Sequence, residues 1–199
     1  VNESDITNYA SSGEAVAQAI DVFGDLTGVV NNAGNNRDRM FASLSEADWD
    51  QVISVHLKGH FCIASHAVQY WRHQSKLGNS VSGRLVNTTS GAGLQGSVGQ
   101  SAYSAAKGGI RSMTKSIAIH SRQAGLGIRC NSVHPGSIST PMVHTALKTL
   151  MGTDLLAEDD PEKTRKAMGI GEPDDVAQMI VYLMSDESKH VTGTEMVID

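Results

Sequence analysis

The chain has 199 residues, of which 40% are hydrophobic and 19% charged, a balance that fits one globular domain and excludes a disordered polyelectrolyte. Its net charge of −5 argues against a nucleic-acid partner, because phosphate backbones select basic faces, and the cluster Lys163, Arg165 and Lys166 reads as a solvated helix face. No run of about 18 or more apolar residues occurs, so no membrane span is expected, and no signal peptide is legible. Cys62 and Cys130 lack the spacing of a zinc site or a disulfide framework; they read as buried free thiols of a cytoplasmic protein without metal.

In chain order, Ser11 to Glu14 spells a capping box, Val16, Ile20 and Phe23 follow at helical spacing, and Gly24 is a stop. The apolar run 26–30 is a buried strand broken by Asn31-Asn32-Ala33-Gly34. Ser45 to Asp48 opens a helix whose Trp49, Val52, Ile53, His56 and Leu57 share one face and which extends towards Trp71. Residues 78–83 are a polar loop and 84–88 a strand. A long helix is predicted over 101–120 and another strand over 127–133, ended by Pro135-Gly136. Residues 141–168 have no clean period and suggest a mobile segment with short helices. Pro173 suits a first helical turn, with Val176, Met179, Ile180 and Leu183 as the apolar face, and Glu195 to Ile198 is a last strand. This alternation predicts βαβ units around a parallel sheet in a single domain over 1–199. The chain opens on Val1 and stops at Asp199 directly after a strand, so both ends are read as lying inside a longer chain.

Chemistry concentrates around Tyr103-Ser104-Ala105-Ala106-Lys107. Residues four apart on a helix share a face, so the ammonium stands beside the phenol. A neighbouring positive charge is expected to lower the phenol from its usual pKa near 10 and let it exchange a proton with an alcohol or ketone. By itself the spacing fits an ordinary surface pair. Ser90 ends the 84–88 strand, and Gly91, Gly93, Gly96 and Gly99 let the chain turn back so that its hydroxyl can reach the same substrate oxygen; alone, such a serine commonly caps a turn.

Asn31-Asn32-Ala33-Gly34, Ser90, Tyr103-x-x-x-Lys107 and Pro135-Gly136-Ser137-Ile138-Ser139-Thr140, in this order, resemble the short-chain dehydrogenase/reductase family over essentially the whole chain. Gly171 to Asp175 and Val191-Thr192-Gly193 are similar to the family's late landmarks. The resemblance implies a Rossmann-type, doubly wound α/β sheet with helices on both faces and a site at the strand C-terminal ends. It implies Tyr103 as general acid/base, Lys107 as ligand of the nicotinamide ribose and Ser90 as orienter of the reacting oxygen. Asn32, Ala33 and Gly34 would line the ribose, Asp5 and Ile6 would flank the adenine, and Pro135, Gly136, Ile138 and Thr140 would hold the nicotinamide end. The implied cofactor is NAD or NADP, with NAD favoured, and the implied assembly is a homotetramer.

Two departures stand out. The family's glycine-rich turn and first two strands have no counterpart here, so the sheet is expected to be truncated at both termini, leaving a strand at Asp5 without a neighbour. His56 stands where the family usually has an Asn that holds a proton-relay water; it is read either as a relay residue or as core packing. Val55-His56-Leu57-Lys58-Gly59, with Arg37-Asp38-Arg39 upstream, resembles (3R)-hydroxyacyl-CoA dehydrogenases, whereas 128–135 looks more like bacterial hydroxysteroid dehydrogenases. Met142, Leu147, Leu150, Met151, Leu155 and Leu156, within 141–168, form either an apolar substrate lid or ordinary core. The expectation is a reversible secondary-alcohol/ketone oxidoreductase for a lipidic substrate. The competing class is a non-catalytic relative that binds a nucleotide or partner as a sensor, which the presence of Ser90, Tyr103 and Lys107 disfavours.

Overall fold

Successive side chains of a strand point to opposite faces of its sheet, and the buried residues of β2 (Gly83–Thr88) divide accordingly. Leu85 packs with Ala64, Ala67, Trp71, Ala118, Ile128 and Cys130, while Val86 packs with Val133 and Leu183. Both faces are therefore covered, the condition under which parallel strands are stable. The computed structural model describes residues 1–152, 154 and 159–199. Four parallel strands, β1 (Gly28–Asn31), β2, β3 (Ile128–Pro135) and β4 (Glu195–Ile198), lie side by side in chain order. Helices α3 (Gly59–Lys76) and α5 (Ser101–Gln123) supply one apolar layer; α8 (Pro173–Met184) supplies the other through Leu183, Val176, Met179 and Ile180.

Helix α1 (Tyr9–Phe23) begins before the predicted capping box, because the Asn8 side chain accepts the Ser11 N–H and puts Ser11 inside the first turn. Gly24, at φ 79°, ends it as expected. No strand forms at Asp5 among the described residues. Its carboxylate accepts both the backbone N–H and the hydroxyl of Thr7, at 2.8 Å each, a local turn that competes with any ladder. The predicted helix from 45 is present as α2 (Glu46–Ile53), but it passes into α3 through a π-helical turn, Ser54–Lys58. Ser54, Lys58 and Gly59 all keep right-handed helical dihedrals, so the rod is continuous.

The glycines before Tyr103 build a short helix, α4 (Ala92–Gln95), and then turn at Gly96 and Gly99, both at positive φ. Residues 141–168 supply α6 (Pro141–Met151) and α7 (Pro161–Ala167), and Pro173 opens α8 behind a Glu172/Asp175 capping box. Leu155 and Leu156 of the expected lid lie outside the described residues, as do the side chains of Leu150 and Met151.

Trp71 fixes where α3 meets the sheet. Its indole N–H donates to the Leu26 carbonyl, and its ring fills the space above Gly83, where a Cβ would stand 2.7 Å from the ring. Gly83→Ala therefore forces the ring away from that hydrogen bond and is expected to cost about 1–3 kcal/mol of stability. Urea denaturation measures this, and a midpoint equal to that of the unmodified chain would show that the ring is not held.

Candidate active site

β1 ends at Asn31, which is a strand residue rather than part of the turn. Its side-chain amide donates to the Asn87 side chain at 3.0 Å, and Asn87 donates onward to Thr114 at 2.9 Å. This buried polar chain ties β1, β2 and α5 together just behind the strand ends. Beyond it, Asn32, Ala33 and Gly34 run along the wall of a cleft of about 730 Å³.

Lys107, one helical turn after Tyr103, is 3% exposed. Its ammonium donates to the Thr88 carbonyl at 2.7 Å and sits 5.4 Å from the centroid of the Tyr103 ring. Burial pushes its pKa down to about 7. The α4 helix reaches this point because Gly93 has no side chain: a Cβ there would meet the Lys107 backbone and Cβ at 2.8 Å.

Tyr103 differs from expectation in one respect. Desolvation raises its pKa above 10, the Ser90 hydroxyl works in the lowering direction, and the Asp38 carboxylate raises it further. Lys107 does not reverse this, because its ammonium is anchored to Thr88 and lies over the ring rather than at the hydroxyl. Ser90 itself accepts the Ala92 N–H at 3.2 Å, which holds its hydroxyl at the cleft.

His56 stands in the π-helical turn, 1% exposed, with its ring edge-on to Tyr103 at 5.1 Å and 88°. Its Nε2 meets the Asn35 carbonyl at 2.7 Å and the Asn35 N–H at 3.1 Å. The shorter contact is the one in which Nε2–H donates to the carbonyl. Nδ1 is then a buried acceptor with no partner among the described residues. A Cβ at Gly34 would come within 2.5 Å of this ring, so the glycine is what lets the imidazole touch the chain. Burial, then the Lys107 charge, lower the His56 pKa to about 4. The imidazole is therefore neutral through the physiological range.

Of the catalytic and cofactor-binding candidates, all but two share the one cleft. Asn32, Ala33, Gly34, His56, Ser90, Tyr103, Lys107, Pro135, Gly136, Ile138 and Thr140 all line it. Asp5 and Ile6 do not: Asp5 is engaged with Thr7, and Ile6 packs towards Gly59. A second cleft of about 430 Å³ also borders Ser90 and Tyr103, walled by Met142 and Leu147 from α6.

One part of the site was missed at the sequence level. His134, fully buried on β3, contacts Thr89 Oγ1 through Nδ1 at 2.6 Å and Ser132 Oγ through Nε2 at 2.8 Å, while Thr89 donates to the Val133 carbonyl. One neutral arrangement satisfies every group: Ser132 donates to Nε2, and Nδ1–H donates to Thr89. The network locks the residue beside Ser90 to the strand that ends in Pro135. The i, i+2 spacing of Ser132 and His134 was the available signal, since it puts both on one face of the strand.

A family model described as Enoyl-(Acyl carrier protein) reductase matches residues 1–199. The chain is 37% identical over 201 residues to a 3-oxoacyl-[acyl-carrier-protein] reductase of Thermotoga maritima, covering 98% of this chain and 73% of the relative. It is 38% identical over 197 residues to a hydroxyacyl-CoA dehydrogenase of Mycobacterium tuberculosis, covering 98% of this chain but 57% of that protein. A crystal structure of a short chain dehydrogenase from Mycobacterium avium superposes with a TM-score of 0.78 at 39% identity, over 98% of this chain and 59% of the other. Ordered motifs, a parallel sheet covered on both faces and relatives at this identity agree: the chain belongs to the short-chain dehydrogenase/reductase family of oxidoreductases.

Proposed function

We propose that the protein interconverts a secondary alcohol and a ketone with NAD or NADP, with Tyr103 as general acid/base. The observation that carries this reading is the convergence of Ser90, Tyr103 and Lys107 with the Asn32–Gly34 and Pro135–Thr140 segments in one cleft. The apolar wall of Ile138, Val176 and Ile180 fits a flat ring. When bound, the nicotinamide supplies the hydride acceptor or donor. Asn32, Ala33 and Gly34 line its ribose, and Pro135, Gly136, Ile138 and Thr140 hold its ring end. An ammonium has three donors; Thr88 takes one from Lys107, and the others are free to face ribose hydroxyls. Ser90 and Tyr103 hydrogen-bond the reacting oxygen. Desolvation keeps the phenol protonated at neutral pH, poised to give its proton as a ketone becomes an alkoxide.

The substrate class we propose is a 3-hydroxyacyl thioester or a hydroxysteroid. The Met142 and Leu147 wall of the second cleft supports it, as do the acyl-carrier and CoA chemistry in the names of the relatives. The test is a panel of alcohols and ketones with each cofactor. We expect kcat/KM for a hydroxysteroid or a 3-hydroxyacyl thioester to exceed that for a sugar alcohol by about 100-fold or more, a difference that burial of apolar surface at about 25 cal/mol per Å² covers. Tyr103→Phe should lose about 10²–10⁴-fold in kcat while cofactor fluorescence titrations stay unchanged. A preferred polyol refutes the substrate class. Activity of Tyr103→Phe within threefold refutes its role, and nucleotide binding without turnover would mark a sensor.

We propose His56 as a relay residue that holds a water through its unpartnered Nδ1. His56→Asn should keep most activity, and His56→Leu should lose about tenfold in kcat, roughly 1.4 kcal/mol of barrier, with little change in Tm. Because protonation of His56 sets in only near pH 4, no limb of the rate profile above pH 5 belongs to it, and the His56→Asn profile should keep its shape there. A fully active or unfolded His56→Leu assigns the ring to packing.

A homotetramer is proposed for the assembly, supported by apolar side chains left on the helix surfaces: Trp49 on α2, Phe61 on α3 and Ile119 on α5, the last two about half exposed. Light scattering at micromolar concentration should report four chains, and a monomer there overturns it.

A further inference from the structure

Next to the catalytic clefts lies a groove of about 600 Å³ that the chemistry above does not use. One wall is the loop Asn36-Arg37-Asp38-Arg39; the other is the start of α6, with Met142, Thr145 and Ala146. The groove is continuous with the cleft that holds Ser90 and Tyr103, since Asn36, Met142 and Ala146 line both. In a chain of net charge −5, two exposed arginines thus line a groove that opens onto the cleft of the reacting oxygen.

The charges in the groove are sorted by exposure. Asp38 faces inward: its Oδ2 accepts from the Asn36 side chain at 2.6 Å, its Oδ1 is buried, and its charge reaches Tyr103. The arginines are exposed along the groove. Arg37 spends Nε on Gln51 and, more distantly, on Asp48 at 3.9 Å, and Nη1 on the Asn36 carbonyl. Arg39 spends one Nη1 contact on the Asp38 carbonyl. Each guanidinium carries five N–H donors, so each keeps donors for a ligand. The internal bonds also fix the forks in place, which lowers the entropy lost on binding.

The loop is tied to the catalytic helix. The Arg39 N–H donates to the Gly99 carbonyl at 2.8 Å, Arg39 and Gln100 form a parallel bridge, and Gln100 is the N-cap of the helix that carries Tyr103. Backbone contacts therefore fix the loop that carries the arginine pair against the start of the helix that carries the phenol.

We propose that this groove is the subsite for the phosphate-bearing pantetheine arm of a thioester substrate, with Arg37 and Arg39 as its phosphate ligands. The inference rests on the thioester reading above and deepens it. Planar guanidinium forks match phosphate oxygens in charge and geometry. A steroid has no group for them. The same pantetheine phosphate occurs in coenzyme A and on an acyl carrier protein, and the nucleotide phosphates occur in coenzyme A alone.

The test compares one 3-oxoacyl group on three carriers: coenzyme A, a phosphopantetheine-loaded acyl carrier protein, and N-acetylcysteamine, which has no phosphate. In the Arg37→Gln/Arg39→Gln double variant, kcat/KM for the coenzyme A ester should fall about tenfold or more, chiefly through KM. The value for the N-acetylcysteamine ester should stay within twofold. Raising the salt should weaken the coenzyme A ester and leave the phosphate-free N-acetylcysteamine ester unchanged. An equal loss on the carrier-protein ester assigns the arginines to the pantetheine phosphate; a loss confined to coenzyme A assigns them to the nucleotide phosphates, and either supports the subsite. Equal losses on all three esters, or none, overturn it. If the unmodified enzyme turns over no thioester, the substrate reading fails by itself. The subsite is then judged by calorimetry with free coenzyme A in the presence of saturating nicotinamide cofactor: binding lost in the double variant upholds it, and no binding or unchanged binding ends it.

Discussion

Lys107 keeps an ionisable nitrogen inside the protein, and the Thr88 carbonyl makes that tolerable. An isolated buried ammonium is costly, and it responds by giving up charge or by finding a dipole. Lys107 does both: its pKa falls to about 7, and its ammonium is held at the end of β2. With the Asn87–Thr114 bond, that contact joins the helix that carries Tyr103 to the strand that leads into Ser90. Ser90, Tyr103 and the cleft wall keep one geometry because this connection does.

The connection works only if helix and strand can approach closely, and glycines at three contacts allow it. Gly93 brings α4 onto the backbone of Lys107, Gly34 brings the Asn32–Gly34 wall of the cleft onto the His56 ring, and Gly83 seats β2 beneath Trp71. None of these needs an unusual backbone angle; each is selected because a Cβ would collide with a neighbour. Close packing, rather than turn chemistry, is the reason for glycine there.

Two buried polar networks lie near the strand ends. Asn31, Asn87 and Thr114 link β1, β2 and α5, and Ser132, His134 and Thr89 link β3 to β2. Satisfied networks of this kind rigidify a site, because breaking one bond leaves a buried group without a partner. They hold the strand register on which the positions of Ser90 and Pro135 depend.

Much of this was legible in the sequence because it depends on short range. The i, i+4 relation of Tyr103 and Lys107, the α/β alternation, the Gly24 stop and Pro173 at a helix start follow from local periodicity and backbone chemistry. Other features were decided only by the tertiary structure. The π-helical turn that aims His56 at Asn35 arises where one long helix must fit against both α5 and the loop after β1; no local propensity encodes it. Asp5 turned to Thr7 instead of a ladder, since nothing along the chain says whether a neighbouring strand will offer a partner. The direction of the Tyr103 shift also lay beyond the sequence, which shows that a lysine is near but not that its charge is anchored over the ring while desolvation acts on the phenol. Arg37 and Arg39 read as a motif in the chain; that they share a groove with Met142 and Ala146 is a consequence of folding, because contacts between residues a hundred positions apart are set by packing.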